Sequence, residues 1–279
     1  MANIACVNGR FGPLADAVVS VEDRGFQFGD AVYEVIRTYR GRPFAVDEHL
    51  SRLERSAQAL QLSLGHTRAQ WIALIDEGLR LSSLPETKIY LQISRGQAPR
   101  DHPFPAALSP TTVLTFRELH PLNESIRQAG VQAILLDDIR WGRCDIKSVN
   151  LLANVLARQR AKEAGAFEAI LLRDGVVTEG SVSNVMVVLN GTIRTAPEGP
   201  RILSGVTRAK VLELAKKEGI PVAETVVRRE ELLGASEVFL TGTTVEVLPV
   251  VRVDGQAVGA ATPGPVAQLL SRRWEALVG

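Results

Sequence analysis

Tight-turn signals between short apolar segments in the second half of the chain constrain the fold most strongly. Asp174-Gly175 and Asn190-Gly191 each separate two apolar segments, and Asx-Gly pairs in this setting are typical of β-hairpin turns. The apolar segments are residues 169–172, 176–189 and 192–194. The sequence therefore predicts a series of strands joined by tight turns in this region.

The first half of the chain combines predicted strands with amphipathic helices. Apolar segments at residues 32–39, 88–94 and 111–116 predict strands. Asp47 is the predicted N-cap of one helix, and Thr67 begins a capping box that opens a second helix. Both helices have an apolar side, so we expect them to cover a sheet.

A polar segment at residues 119–125 is the best candidate for a boundary between two domains. It contains Pro121 and Asn123 and separates two regions with different patterns of predicted strands and helices. We therefore predict a small N-terminal α/β domain at residues 1–118, a linker at 119–125 and a larger C-terminal domain at 126–279.

Composition and charge limit the class of function. The 279 residues include 32 basic and 31 acidic side chains, and this balance does not indicate a nucleic-acid or membrane-surface partner. The two cysteines, Cys6 and Cys144, cannot form a disulfide framework or a four-thiolate metal site, and they suit a reducing compartment. No apolar run reaches the roughly 18 residues of a membrane helix. We expect a soluble cytoplasmic protein that binds a small molecule and no metal.

Lys147 lies between a predicted strand and a predicted helix. An apolar strand covers residues 131–136, and after the lysine Leu151, Leu152 and Val155 begin a helical spacing. A rigid scaffold can present a side chain to a ligand at such a position. Most single lysines in such settings are simply solvated charges, so this pattern alone leaves both interpretations open.

Three further places could bind parts of a ligand. Glu179 puts a carboxylate where a strand favours Val or Ile. The predicted helix start at residues 205–207 has backbone N–H groups and a positive dipole end that can hold a phosphate. Thr241-Gly242-Thr243-Thr244 is a hydroxyl-rich turn of the kind that binds anions. An ordinary cap or turn remains the alternative at both phosphate positions.

The loop at residues 95–105 joins Arg95, Arg100 and His102 to three prolines. The prolines stiffen the loop and lower the entropy that it loses when it grips a ligand. The loop could bind an anion, or it could be a solvated basic loop.

One cofactor would use all of these groups. Pyridoxal 5'-phosphate has an aldehyde for a lysine, a ring nitrogen for an acid and a phosphate for backbone N–H groups and an arginine. The early helix supplies such an arginine, Arg52.

Four separated segments resemble the fold-type IV pyridoxal phosphate enzymes. They are residues 26–34, 138–153, 178–184 and 203–208, and the similarity spans essentially the whole chain in order. The family includes branched-chain aminotransferases, D-amino acid aminotransferases and aminodeoxychorismate lyases. The resemblance implies an α+β fold, with a small N-terminal α/β domain and a larger C-terminal cofactor-binding domain that has a strand-rich, barrel-like core.

The resemblance also implies roles for individual residues. It makes Lys147 the Schiff-base lysine and Glu179 the partner of the pyridine nitrogen. The residues that it implies for phosphate binding are Arg52, Val206, Thr207 and Thr243, and Tyr33 is implied to lie near the substrate.

Two segments are most similar to the D-amino acid aminotransferases. These are Arg-Trp-Gly-Arg-Cys-Asp-Ile-Lys-Ser and Arg-Gly-Gln-Ala-Pro-Arg-Asp-His-Pro-Phe-Pro. The second resemblance implies that Arg100 and His102 bind the substrate carboxylate. Departures from the family pattern are Ala31 in place of the usual glycine, Ser204 in place of the common asparagine, and a Thr241-Gly242 turn that resembles the branched-chain enzymes.

The implied reaction is a ping-pong transamination of D-amino acids with a 2-oxo acid such as 2-oxoglutarate. Lys147 would move the proton of the substrate Cα, and Glu179 would keep the ring nitrogen protonated. The family also implies a homodimer in which the loop that carries Arg100 crosses to the other subunit. The alternatives are a branched-chain L-amino acid or (R)-amine aminotransferase, or a lyase, on the same scaffold, or a non-catalytic scaffold protein.

Overall fold

The structure is a computed structural model that describes residues 3–106 and 109–279. The chain divides into two compact units. The first unit runs to His120 and also includes Ile146–Asn150, and the second comprises Pro121–Asp145 and Leu151–Gly279.

The first unit contains a six-stranded antiparallel sheet with helices. Its strands are β1 (Ile4–Val7), β2 (Arg10–Pro13), β3 (Ala31–Tyr39), β4 (Arg42–Pro43), β5 (Thr87–Ser94) and β6 (Thr111–Glu118). Its helices are α1 (Arg24–Phe28), α2 (Val46–Ala59) and α3 (Arg68–Ser82), with a 3-10 turn at Leu14–Asp16. The strand order is β2-β1-β6-β5-β3-β4.

Helices α2 and α3 bury their apolar sides in the core of this unit, as predicted. Leu53 of α2 and Trp71 of α3 join strand residues such as Ile36 and Phe116 in one cluster. Gly78 allows the close approach of α3, because a Cβ at this position would overlap the Phe116 ring. The core therefore fixes α3 directly against β6.

The two predicted helix starts have different outcomes. The Thr67 capping box is confirmed, because the Thr67 hydroxyl accepts from Gln70 N–H and the Gln70 side chain accepts from Thr67 N–H. The predicted N-cap at Asp47 is wrong. The N-cap of helix α2 is Ala45, two residues earlier, with a φ of 55°, so Asp47 lies in the first turn, where its charge complements the helix dipole.

The second unit contains a nine-stranded mixed sheet. Its strands are β7 (Val131–Asp137), β8 (Glu168–Arg173), β9 (Val176–Gly180), β10 (Asn184–Leu189), β11 (Thr192–Thr195), β12 (Val222–Glu224), β13 (Glu237–Gly242), β14 (Glu246–Val253) and β15 (Gln256–Ala257). The order is β12-β11-β10-β13-β14-β7-β8-β9, with β15 paired to β14. The sheet curls so that β9, at one end, returns beside β10.

The second unit also contains helices. They are α4 (Glu124–Ala129), α5 (Leu152–Glu163), α6 (Val206–Lys217), α7 (Arg229–Leu233) and α8 (Pro265–Val278). Both predicted hairpin turns are confirmed: Asp174-Gly175 and Asn190-Gly191 have positive φ at both residues. No helix within the described ranges combines the length and apolar character needed to span a membrane.

The segment around Lys147 differs from the predicted domain plan. The plan placed it in the C-terminal domain, whereas Ile146–Asn150 packs with the first unit. Ser148 forms a β-bridge with Val32, and Ile146 joins the core that contains Leu53. These contacts link positions far apart in sequence, so a local pattern does not reveal them.

Candidate active site

The backbone of Lys147 is held on both sides. Its C=O accepts a hydrogen bond from Tyr33 N–H at 2.9 Å, and its N–H donates to the Ser56 hydroxyl at 3.1 Å. The ammonium Nζ lies 4.1 Å from the centre of the Tyr33 ring, within the range of a cation–π interaction. The structure therefore brings Lys147 and Tyr33, two predicted site residues, into contact.

Tyr33 is supported in turn by Tyr90. Their ring centres are 5.5 Å apart and the planes are nearly parallel, at 27°. Burial, together with the neighbouring Tyr33, raises the pKa of Tyr90 to about 12, so its phenol stays neutral at physiological pH. The Tyr90 hydroxyl donates to the Gln92 side chain at 2.6 Å.

Arg52 lies in a buried cluster with Glu34 and His49. Its Nε and Nη2 donate to the two carboxylate oxygens of Glu34 at 2.7 and 2.8 Å, and Nδ1 of His49 lies 2.7 Å from the same carboxylate. Arg52 is a predicted phosphate-binding residue, whereas Glu34 and His49 were not singled out from the sequence. His49 and Arg52 are three residues apart on one helix, and this spacing could have indicated that their side chains are neighbours.

The charges in this cluster follow from its contacts. Burial is the largest influence on Glu34 and acts to raise its pKa, but the charge of Arg52 and the hydrogen bonds from Arg52 and His49 outweigh burial and lower the pKa. Burial chiefly lowers the pKa of His49, against the pull of Glu34. The imidazole is therefore neutral near pH 7, and its Nδ1–H donates to a charged carboxylate.

Arg100 and His102 meet at one aromatic ring. The Arg100 guanidinium lies 4.5 Å from the centre of the Phe28 ring, and the His102 ring centre lies 5.4 Å from it. Arg100 also donates to the C=O of Gln27 at 3.1 Å. In the described part of the chain, neither side chain forms a hydrogen bond or ring contact with Lys147 or Tyr33.

In the second unit, Glu179 is buried near the end of β9. Its carboxylate accepts hydrogen bonds from the guanidinium of Arg140, from the Asn184 side chain at 3.0 Å and from Leu203 N–H at 3.0 Å. These donors come from three separate parts of the chain. They fix the orientation of a carboxylate that a strand position alone would leave free to rotate.

Arg140 is itself held by Asp138. Its guanidinium donates to both oxygens of that carboxylate at 2.8 Å. Burial opposes the charged forms of both residues. The hydrogen bonds and charges that Arg140 shares with its carboxylate partners outweigh burial, so the pKa of Arg140 is raised and that of Asp138 is lowered. Neither residue was assigned a role from the sequence, although both lie in the motif that contains Lys147. Their opposite charges, two positions apart in the sequence, could have indicated this ion pair.

Asn184 connects Glu179 with both predicted phosphate positions. It pairs with Thr241 across β10 and β13, and its side-chain oxygen lies where a Cβ at Gly205 would be. Gly205 is the N-cap of α6 and provides no side-chain cap. The helix start, the end of β13 and Glu179 are thus all held to one asparagine, which was not singled out from the sequence.

The two phosphate positions retain hydrogen-bonding capacity. The first N–H groups of α6, including those of Val206 and Thr207, have no partner within the helix by its geometry. The buried Thr241 hydroxyl has no hydrogen-bond partner. Thr243 is half-buried in the turn that follows β13. These donors match the requirements of a bound anion.

Comparison with known proteins identifies relatives over nearly the whole chain. The family model described as amino-transferase class IV matches residues 31–253. A D-alanine aminotransferase of Bacillus licheniformis is 48% identical over 262 residues, covering 94% of this chain and 92% of the relative. A D-alanine aminotransferase of Staphylococcus haemolyticus is 42% identical, with 95% and 94% covered.

Solved structures of similar fold include branched-chain aminotransferases. The enzyme of Escherichia coli has a TM-score of 0.92 at 28% identity, covering 100% of this chain and 95% of the other. A T.th. branched-chain amino acid aminotransferase, solved with pyridoxamine 5'-phosphate, has a TM-score of 0.91 at 30% identity, with the same coverage.

Proposed function

The chain belongs to the amino-transferase class IV family, and on this basis we propose that it transfers the amino group of D-amino acids to a 2-oxo acid such as 2-oxoglutarate. The predicted family and α+β fold are confirmed by the family model and by the similar structures. The observation that carries the substrate proposal is the 48% identity to a D-alanine aminotransferase over 94% of the chain.

We propose pyridoxal 5'-phosphate as the cofactor. The residues present fit this group: the chain has an amine at Lys147, a fixed carboxylate at Glu179, an uncapped helix start and an unpartnered buried hydroxyl at Thr241. When bound, the cofactor supplies an aldehyde that takes up the amino group and a ring that accepts electrons from Cα.

Lys147 would bind the cofactor aldehyde and act on the substrate proton. Its Nζ takes the proton from Cα of the D-amino acid, and the same amine returns a proton in the reverse half-reaction. The fixed backbone of Lys147 and the Tyr33 ring limit the directions in which Nζ can point. Only the enantiomer whose Cα–H points at Nζ then reacts.

Glu179 would accept a hydrogen bond from the protonated ring nitrogen. Arg140, Asn184 and the N–H of Leu203 hold its carboxylate in one orientation before any ligand binds. Such preorganisation avoids the cost of reorienting the carboxylate during the reaction.

The phosphate would be held by Arg52, Val206, Thr207 and Thr243. The guanidinium of Arg52 is oriented by two hydrogen bonds to Glu34, and the start of α6 adds backbone N–H donors. Arg100 and His102 would bind the substrate carboxylate, with Tyr33 near the substrate.

The alternative on this fold is a branched-chain L-amino acid aminotransferase. Its support is the structural similarity to such enzymes, at 28% and 30% identity. The identity to the D-alanine enzymes is higher, so we favour the D-amino acid reaction.

Steady-state assays with 2-oxoglutarate as acceptor separate the two candidates. We expect glutamate formation from D-alanine and little from L-leucine. A protein with added cofactor that uses L-leucine and not D-alanine would contradict the proposal. Lys147→Ala is the control for background turnover.

We also propose a homodimer in the cytoplasm, with the loop that carries Arg100 entering the active site of the other subunit. The two cysteines are free, which agrees with a reducing compartment. Sedimentation equilibrium of the purified protein should give the mass of a dimer, and a monomer's mass would contradict this proposal.

A further inference from the structure

Arg24 binds the backbone of the loop that contains Arg100 and His102. It is only 3% exposed, and its guanidinium donates to the C=O groups of Asp101 at 2.6 Å, His102 at 3.1 Å and Pro103 at 3.4 Å. Three consecutive carbonyls are thus held by one side chain. An exposed loop without such an anchor would sample several backbone conformations.

The charge of Arg24 is balanced by Asp30, which also anchors the beginning of the loop. Arg24 Nε donates to Asp30 at 2.9 Å, and Arg95 donates to the same carboxylate at 2.8 and 3.0 Å. Burial acts to raise the pKa of Asp30, but the hydrogen bonds and charges of Arg95 and Arg24 lower it. The Arg95 guanidinium also stacks on Phe104 at 3.6 Å. One charged carboxylate therefore links both ends of the segment that contains Arg100.

Phe28 contacts the side chains of this loop. Its ring centre lies 4.5 Å from the Arg100 guanidinium carbon, 4.8 Å from that of Arg24 and 5.4 Å from the centre of the His102 ring. Arg24 and Phe28 are the first and last residues of α1, so this short helix holds the loop backbone at one end and two loop side chains at the other.

We propose that Arg24 and Phe28 are positioning residues that set the geometry of Arg100 and His102 toward the substrate carboxylate. This inference rests on the proposed function, because it assumes that those two side chains bind the carboxylate. A guanidinium is suited to the Arg24 position because its fixed planar fork reaches several acceptors at once, whereas an ammonium is a single point of charge.

Displacement of the loop would have a specific kinetic effect. The amino acid and the 2-oxo acid each present a carboxylate to the same two side chains. A displaced loop therefore weakens the binding of both substrates. It leaves the contacts of Lys147 and Glu179, which lie on other segments, unchanged.

Kinetics of the holoenzyme test the inference with Arg24→Lys and Phe28→Leu. We expect Arg24→Lys to lower kcat/KM for D-alanine by about 10²-fold, the scale of a 1 Å misplacement of a binding group. The KM values for both D-alanine and 2-oxoglutarate should rise, kcat should change less, and the cofactor absorbance should stay as in the wild type. Phe28→Leu should act in the same direction with a smaller effect, because the carbonyl contacts of Arg24 remain.

Arg68→Lys is the matched control. Arg68 also donates to carboxylates and to a backbone C=O, those of Glu54 and Asp47, but it does not contact the loop. We expect wild-type kinetics for this variant. Wild-type KM values in both Arg24→Lys and Phe28→Leu would overturn the inference, and so would a loss of activity that is matched by loss of the cofactor absorbance.

Hydrogen exchange provides a readout that needs no turnover. Arg24→Lys should accelerate exchange in peptides that cover residues 96–106 and leave the rest of the first unit unchanged. Faster exchange throughout that unit would show a general structural role and overturn the inference.

The activity assays distinguish failure of the proposed function from failure of this inference. A wild-type protein without D-alanine activity contradicts the proposed function and with it this inference, whereas an active wild type with unaffected variants contradicts the inference alone.

Discussion

At the scale of single residues, Glu34 shows that a sequence motif does not reveal the hydrogen-bond partners of its residues. It belongs to a motif that identified Tyr33, but its partner Arg52 lies 18 residues further along the chain. Arg140 and Glu179 are separated by 39 residues. Tyr33, Arg52 and Glu179 were predicted to be site residues from the sequence. Their hydrogen-bond partners could not be predicted, because the fold brings these pairs together. The roles assigned to Lys147, Glu179 and Arg52 remain predictions.

The Glu34 cluster makes stability depend on pH. The folded-state pKa values of Glu34 and His49 are both lowered, so the unfolded chain binds more protons than the folded chain as pH falls. Their contribution is complete above the unfolded pKa values, about 6.5 for histidine and 4.3 for glutamate. It is lost as pH falls through these values toward the folded ones. Urea unfolding between neutral pH and pH 4 should therefore show a decreasing free energy of unfolding.

Glu34→Gln tests the same cluster. The substitution leaves the buried Arg52 without its carboxylate, so we expect a loss of about 3–5 kcal/mol at neutral pH, the usual effect of breaking a buried ion pair. The dependence of stability on pH below about 5 should also weaken, because one linked carboxylate is gone. Glu77→Gln, on the exposed Glu77–Arg80 pair, is the control. Equal stability of the two variants would contradict this account.

At the scale of helices and strands, features that depend on adjacent residues were predicted correctly. The turns at Asp174-Gly175 and Asn190-Gly191 and the Thr67 capping box depend on a few adjacent residues, and all were predicted. The predicted start of α2 was two residues too late, because Ala45, which is not a glycine, takes a left-handed conformation at the N-cap. The attachment of Ile146–Asn150 to the first unit could not be predicted, since a bridge to Val32 fixes it.

Helix α3 offers a test at this scale. In an exposed helix, alanine is more stable than glycine by about 1 kcal/mol, so Gly78→Ala would normally stabilise. Here the added Cβ overlaps the Phe116 ring, and we expect a destabilisation of about 1–3 kcal/mol from overpacking. Thermal unfolding would measure it. Gly12→Ala, where the Cβ meets open space, is the control, and a more stable Gly78→Ala variant would contradict the packing described.

At the scale of the whole molecule, the family and the α+β fold could be predicted because several separate segments resemble the motifs of the family and occur in the same order. The substrate is harder to predict. Branched-chain and D-alanine enzymes both resemble this chain, so the fold and the family alone do not decide between the two candidate substrates. In the proposed mechanism, the handedness of the substrate is set by the position of Lys147 relative to the side chains proposed to bind the carboxylate, and no local pattern encodes that geometry.

The most direct test is proton NMR of alanine in heavy water with the cofactor-loaded protein. If Nζ of Lys147 removes the Cα proton of D-amino acids, the Cα–H signal of D-alanine will disappear through exchange with solvent. The signal of L-alanine will persist, and Lys147→Ala will exchange neither enantiomer. Exchange of L-alanine alone, or undiminished exchange of D-alanine in Lys147→Ala, would contradict the central claim.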